Sequence, residues 1–178
     1  ARYFALAGRQ VVLIDSDATP GSVNSSGNSG VIHAGLYYAS SPIKEKLCIR
    51  GKHLLYDYCR EKNIRFQRPG KLIVAQAGEE PLLNRIFERA VANEVPTRLL
   101  SRDEIKSAYP DLSCVAALES TSTGIVDTQS LMQSLVIDFE AAGGLLHCRD
   151  RVLGIDTSDD LVQVALEDGT RVTADIVI

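Results

Sequence analysis

The sequence has no tryptophan, one methionine and only four cysteines in 178 residues. The cysteines, Cys48, Cys59, Cys114 and Cys148, are scattered without CxxC spacing. Neither a zinc knuckle nor a redox dithiol is indicated, and no metal site is expected. There is no apolar run of about 18 residues, so no segment is long enough to cross a bilayer as a helix. The first apolar stretch, Tyr3 to Ala7, is too short for a secretory signal and runs into Gly8 and Arg9. Basic charge is also scarce: 19 Lys and Arg against 23 Asp and Glu leave a formal net charge of −4. Without a basic stripe, a nucleic-acid partner and an anionic membrane surface both lack the clustered cations they need. What remains is an ordinary globular composition, 45% apolar and 24% charged, which excludes compositional disorder. The length predicts one domain, or one and a fragment. The cysteine usage predicts an intracellular chain with reduced, mostly buried thiols.

Helix and strand signals alternate, as in an α/β or α+β protein. Ala1 to Ala7 reads as the end of a helix closed by Gly8, and Gln10 to Ile14 as a buried strand closed by Asp15. Ser41 and Pro42 open a helix that runs to about Lys62, with Ile43, Leu47, Leu54, Leu55, Tyr58 and Cys59 as its apolar face. A second runs from about Glu80 to Asn93, with a stripe of Leu82, Leu83, Ile86, Phe87, Ala90 and Val91. Ser101 to Glu104 is a capping box for a short helix stopped by Pro110. Asp127 or Thr128 opens another, ended by Gly143 and Gly144. Strands are expected at Lys71–Ala75, Val115–Glu119, Leu145–Cys148 and Arg151–Asp156. A hairpin turning on Asp168-Gly169 should join Leu161–Leu166 to Arg171–Ile178. Because that last strand stops in mid-run, the sequence is expected to be an excerpt of a longer chain.

Chemistry concentrates near the start. Asp15 closes a strand, where an acid in a dinucleotide fold accepts hydrogen bonds from an adenosine ribose; an Asp in an ordinary turn would look the same. A glycine fingerprint belongs about 20 residues before such an acid, and only 14 residues precede Asp15. Ser16 to Ser40 is a long irregular stretch rich in Gly, Ser and Asn, of a length that is usually functional or mobile. Its glycines permit close backbone approach, and its hydroxyl and N–H donors can face phosphate oxygens; a solvated surface loop is the plain alternative. The insert Val31-Ile32-His33 is something a purely solvated loop would not need.

The run Ser25-Ser26-Gly27-Asn28-Ser29-Gly30-Val31-Ile32-His33-Ala34-Gly35-Leu36-Tyr37-Tyr38 resembles a signature of the FAD-dependent L-2-hydroxyglutarate dehydrogenases and oxidases, in the D-amino-acid oxidase-like superfamily. Lys46-Leu47-Cys48, Leu54 to Cys59, Gly70 to Ala75 and Thr123-Gly124-Ile125-Val126-Asp127 resemble that family in order and spacing. The resemblance implies an α/β fold with an incomplete Rossmann-like FAD-binding domain at residues 1–40 and 144–178 and an inserted α+β substrate part at 41–143. It implies FAD as cofactor, with Asp15 at the adenosine ribose. Ser25, Ser26, Asn28, Ser29 and Gly30 would line the pyrophosphate and ribityl chain, and Val152 would lie beside the adenine. The implied reaction is oxidation of L-2-hydroxyglutarate to 2-oxoglutarate with hydride transfer to flavin, followed by electron transfer to a quinone or another carrier. Such a site wants a base and cations. His33 is the candidate base, and Lys71 with Arg68 the candidate carboxylate ligands; a structural histidine and solvated surface cations are the alternatives. Tyr37 and Tyr38 could donate hydroxyls or simply pack. A sister flavoenzyme acting on glycerol 3-phosphate or a secondary amine would share this half, and a non-catalytic binding module is a reading of another class. The resemblance places the protein in mitochondria if eukaryotic, or in the cytoplasm or at the inner membrane if bacterial.

Overall fold

The computed structural model describes residues 1–38, 40–158 and 160–178. In chain order the elements are α1 (Arg2–Leu6), β1 (Val12–Asp15), β2 (Val31–Ile32), α2 (Pro42–Glu61), β3 (Phe66–Gln67), β4 (Lys71–Ala75), α3 (Glu80–Ala92) and β5 (Thr97–Leu100). They continue with α4 (Arg102–Ala108), β6 (Ala116–Ser120), β7 (Gly124–Val126), α5 (Thr128–Ala141), β8 (Leu145–Cys148), β9 (Val152–Asp156), β10 (Val162–Leu166) and β11 (Arg171–Ala174). The expected helices and strands are present. The capping box at Ser101 and Glu104 forms, and Gly169 turns the last hairpin at φ 90°. The strands β2, β3, β5 and β7 were not expected; at two to four residues most are too short to show a period. The last strand ends at Ala174 and does not reach Ile178.

Two compact units result, residues 1–28 with 128–178, and residues 29–127. In the first unit α5 packs on α1 and β8, while in the second residues 29–38 join the sheet and helix that follow them.

In the first unit β1 and β8 pair in parallel, Val12 opposite Leu145 and Asp15 opposite Cys148. Parallel strands need a long crossover between them, and this one spans more than half of the chain. Arg2 Nε donates to Asp138 Oδ2 at 2.8 Å and ties α1 to α5. After α5, Gly143 takes a left-handed turn at φ 83°. At Gly144 a Cβ would lie 2.1 Å from the Phe139 ring, so only glycine lets the chain return to β8 across that buried side chain. The antiparallel sheet β11-β10-β9 completes the unit. Asp150, buried, binds its turn: Oδ2 lies 2.9 Å from His147 Nε2, and Oδ1 accepts the N–H groups of Glu167 and Asp168. The His147 bond holds the Asp150 carboxyl below the usual carboxylate range.

The second unit holds the antiparallel sheets β4-β6-β5 and β2-β7-β3. Helices α3 and α4 cover the first sheet, burying Leu83 against Ala75 and Leu118, and Ile105 against Leu100 and Ala117. Helix α2 departs from expectation. Its inward stripe is Glu45, Lys52, Tyr56 and Cys59, whereas Ile43, Leu47 and Leu54 are 73%, 62% and 58% exposed. The two charges are inward because each finds a partner there. Glu45 accepts two bonds from Arg89 of α3, at 2.5 and 3.0 Å, and Lys52 Nζ donates to Ser122 Oγ at 3.0 Å. A buried polar group that is hydrogen-bonded escapes most of its desolvation penalty.

Candidate functional site

Asp15 ends β1, half-buried, where the chain leaves the parallel pair. Its Oδ1 accepts the N–H of Asp17 at 3.0 Å, an Asx turn, and its backbone carbonyl accepts from Asp150. Asp17 O in turn accepts from the N–H of Arg149, a residue at φ 63°. The acid is thus fixed at the carboxyl end of a parallel strand, the position from which such folds present groups to ligands. A carboxylate there, with Oδ2 beside the engaged Oδ1, is an acceptor of the kind that the hydroxyls of a ribose diol need.

Residues 19–28 wind into successive turns, with N–H bonds from Ser26 to Gly21 O and from Gly27 to Val23 O. The Ser26 hydroxyl donates to the Ser22 and Val23 carbonyls, and Asn28 Nδ2 donates to Asn24 O at 2.6 Å. These two side chains would have to exchange internal bonds to meet a phosphate. Ser25 is half-buried and Ser29 exposed. Val152 opens β9 at 40% exposure, and the whole of that strand is exposed.

In the second unit Gly30, buried at φ 67°, precedes β2, and its carbonyl accepts from Val126. Val31 and Ile32 pair with Ile125 and Gly124 of β7, which draws the Thr123–Asp127 segment to the His33 segment. His33 follows with its side chain exposed between the buried Ile32 and Ala34. Cys48 Sγ, from α2, lies 3.6 Å from the His33 carbonyl. Two residues on, Gly35 at φ 95° crosses α2 so closely that a Cβ would sit 2.6 Å from Ile49. Lys71, exposed at the start of β4, places Nζ 4.6 Å from the centroid of the Tyr37 ring. The arrangement therefore brings Lys71 to the segment that carries His33. Arg68 lies 3.8 Å over the Tyr56 ring, and Tyr56 Oη donates to Ser122 O at 3.1 Å. Burial raises the Tyr56 and Tyr38 hydroxyl pKa values, so both phenols stay protonated donors near neutrality.

Reading apolar residues alone missed Lys52, Tyr56 and Ser122. The available signal was spacing: Glu45, Lys52, Tyr56 and Cys59 recur at intervals of seven, four and three, the period of one helix face. Gly124 was visible only as part of a motif. In the fold a Cβ there would lie 2.1 Å from Tyr56 Oη and 2.6 Å from Gln67 O.

A parallel pair with an acid at its carboxyl end is a ligand-presenting feature of dinucleotide-binding folds. The family described as FAD dependent oxidoreductase matches residues 1–178, and the chain belongs to it. More particularly, it is similar to L-2-hydroxyglutarate dehydrogenases. It is 44% identical over 138 residues to the mitochondrial enzyme of Arabidopsis thaliana, covering 76% of this chain and 29% of that protein. Identity is 41% over 135 residues with the human mitochondrial enzyme, covering 75% and 29%. With that of Indibacter alkaliphilus it is 36% over 152 residues, covering 84% and 38%. The chain thus spans about a third of the length of these relatives. Among solved structures it resembles glycine oxidase from Geobacillus kaustophilus, at a TM-score of 0.85 and 20% identity over 98% of this chain and 49% of that one. It also resembles the FAD-bound L-α-glycerophosphate oxidase of Mycoplasma pneumoniae, at 0.83 and 22% over 95% and 47%.

Proposed function

We propose that the whole protein oxidises L-2-hydroxyglutarate to 2-oxoglutarate, and that this chain supplies part of its FAD site and part of its substrate site. The observation that carries the reading is the placement of Lys71 over Tyr37, four residues from His33, in a chain 36–44% identical to L-2-hydroxyglutarate dehydrogenases. FAD, when bound, supplies the two-electron acceptor for the hydride on the substrate α-carbon. His33, exposed, offers an imidazole nitrogen to accept the hydroxyl proton. Lys71 and Arg68 bind carboxylate oxygens, and their seats on aromatic rings hold the cations in place. Asp15 binds the adenosine ribose and the β9 backbone at Val152 passes the adenine. Ser25, Ser26, Asn28, Ser29 and Gly30 serve the pyrophosphate and ribityl chain. These roles assign residues 1–40 and 144–178 to cofactor binding and 41–143 to substrate. They are functional segments and need not coincide with the packing units.

A quinone or another carrier is the proposed electron acceptor. A mitochondrial setting in a eukaryote, or the cytoplasm or inner-membrane surface in a bacterium, is supported by the mitochondrial and bacterial relatives. No helix among the described residues is long and apolar enough to cross a membrane. The test is turnover by the full-length protein on L-2-hydroxyglutarate, glycerol 3-phosphate and a secondary amine. Oxidation of the first is expected, and His33→Ala should lower kcat by roughly 10²–10⁴. Activity on glycerol 3-phosphate without activity on 2-hydroxyglutarate would overturn the substrate assignment. An unchanged kcat in His33→Ala would remove the base.

A further inference from the structure

Two charged side chains are buried on the inner face of α2, and the fold treats them differently. Glu45 meets the Arg89 guanidinium in a two-bond ion pair. Lys52, only 3% exposed, donates to a neutral hydroxyl, Ser122 Oγ at 3.0 Å. Among the described residues no carboxylate pairs with it; burial lowers its pKa, the Cys48 thiol beside it acts the other way, and Arg68, a second cation, lowers it further.

Arg68 and Lys71 are likewise without a carboxylate partner among the described residues, each resting on an aromatic ring. The elements that carry the three cations converge on one short stretch of chain, Ser120 to Gly124. Ser122 Oγ holds Lys52. Ser122 O holds the hydroxyl of the tyrosine beneath Arg68. Lys71 stands opposite Ser120 in the β4–β6 ladder. Lys52 and Arg68, without an acid between them, repel each other, and the buried Lys52 also bears a desolvation cost. An apolar side chain of Lys52's shape would avoid both costs. A bound anion relieves the repulsion in proportion to its charge, so such a cluster favours a ligand with two negative charges over one.

We propose that Lys52 is a specificity-determining residue of the site assigned above, its buried charge selecting dianionic over monoanionic 2-hydroxy acids. The inference rests on that functional reading and extends it to a residue that need not touch the reacting atoms. Lys52 acts on the substrate's second carboxylate through the potential it sets behind Arg68 and Lys71.

The experiment compares kcat/KM of the full-length protein for L-2-hydroxyglutarate and L-2-hydroxybutyrate, which lacks the second carboxylate. It uses the wild type, Lys52→Met, Lys52→Arg and Lys52→Gln. The wild type should prefer the dianion, and Lys52→Met should cut that preference about tenfold, chiefly through KM for L-2-hydroxyglutarate. Lys52→Arg should keep most of the preference. The thermal midpoint of Lys52→Met should equal or exceed that of the wild type, the opposite of what a merely structural lysine would give. Should Lys52→Met not fold, Lys52→Gln reports the same ratio. A preference unchanged within about twofold in the charge-removing variants overturns the inference. So does equal loss on both substrates together with a lower midpoint. A wild type that oxidises neither acid overturns the functional reading itself, an outcome distinct from both.

Discussion

Replacing Gly124 by alanine tests whether the Thr123–Asp127 motif is tight for the reason the fold gives. The new Cβ would lie 2.1 Å from Tyr56 Oη and 2.6 Å from Gln67 O, where ordinary contact begins at 3.4 Å. The Tyr56 ring is 2% exposed and cannot retreat freely. Displacing its hydroxyl breaks the 3.1 Å bond to Ser122 O, which costs about 1–3 kcal/mol when the polar groups stay buried. Overpacking of the sheet backbone adds about 1–3 kcal/mol. The expected destabilisation is therefore about 2–6 kcal/mol, a large share of a typical domain's stability. Equilibrium urea unfolding of Gly124→Ala, Tyr56→Phe and the double variant measures it. Removing the hydroxyl clears the closer of the two clashes but leaves the Gln67 carbonyl. The double variant should accordingly be more stable than the sum of the single effects by about 1 kcal/mol or more. A Gly124→Ala protein within about 0.5 kcal/mol of wild type would refute the steric account, as would strict additivity in the cycle.

Two further outcomes follow from the packing. The Arg89 bonds hold the Glu45 carboxyl below its usual value of 4.5. A depressed acid stabilises above its unfolded pKa and loses that contribution as pH falls through the folded one, so unfolding should ease below about pH 4.5. In Glu45→Gln, denaturation midpoints between pH 3 and pH 7 should depend less on pH, and a slope equal to wild type would dismiss the pair. At the other glycine crossing, a Cβ on Gly144 would sit 2.1 Å from the Phe139 ring, so Gly144→Ala should cost about 1–3 kcal/mol. Phe139→Leu in the same background should recover part of it in a thermal melt.

Local signals were well legible in the sequence. The helical period, the Ser101–Glu104 capping box, Pro42 at the start of α2 and the Asp168-Gly169 turn each depend on a few neighbouring residues, and each appears where the pattern put it. The acid at the end of β1 was equally readable, as was the resemblance that the family match bears out. The inner face of α2 was not. Ile43, Leu47 and Leu54 form a better apolar stripe than Glu45, Lys52, Tyr56 and Cys59, yet the second is turned inward.

The sequence by itself determined where the helices and the longer strands lie, where the last hairpin turns, and which family the chain belongs to, because those depend on residues close together or on a motif. Only the tertiary structure decided that β1 pairs with β8, that Lys71 reaches the His33 segment through Tyr37, and that Lys52 lies buried on Ser122. A helix has more than one face that can be buried. Which one turns inward depends on partners such as Arg89 and Ser122, 44 and 70 residues away, and those distances close only when the chain folds.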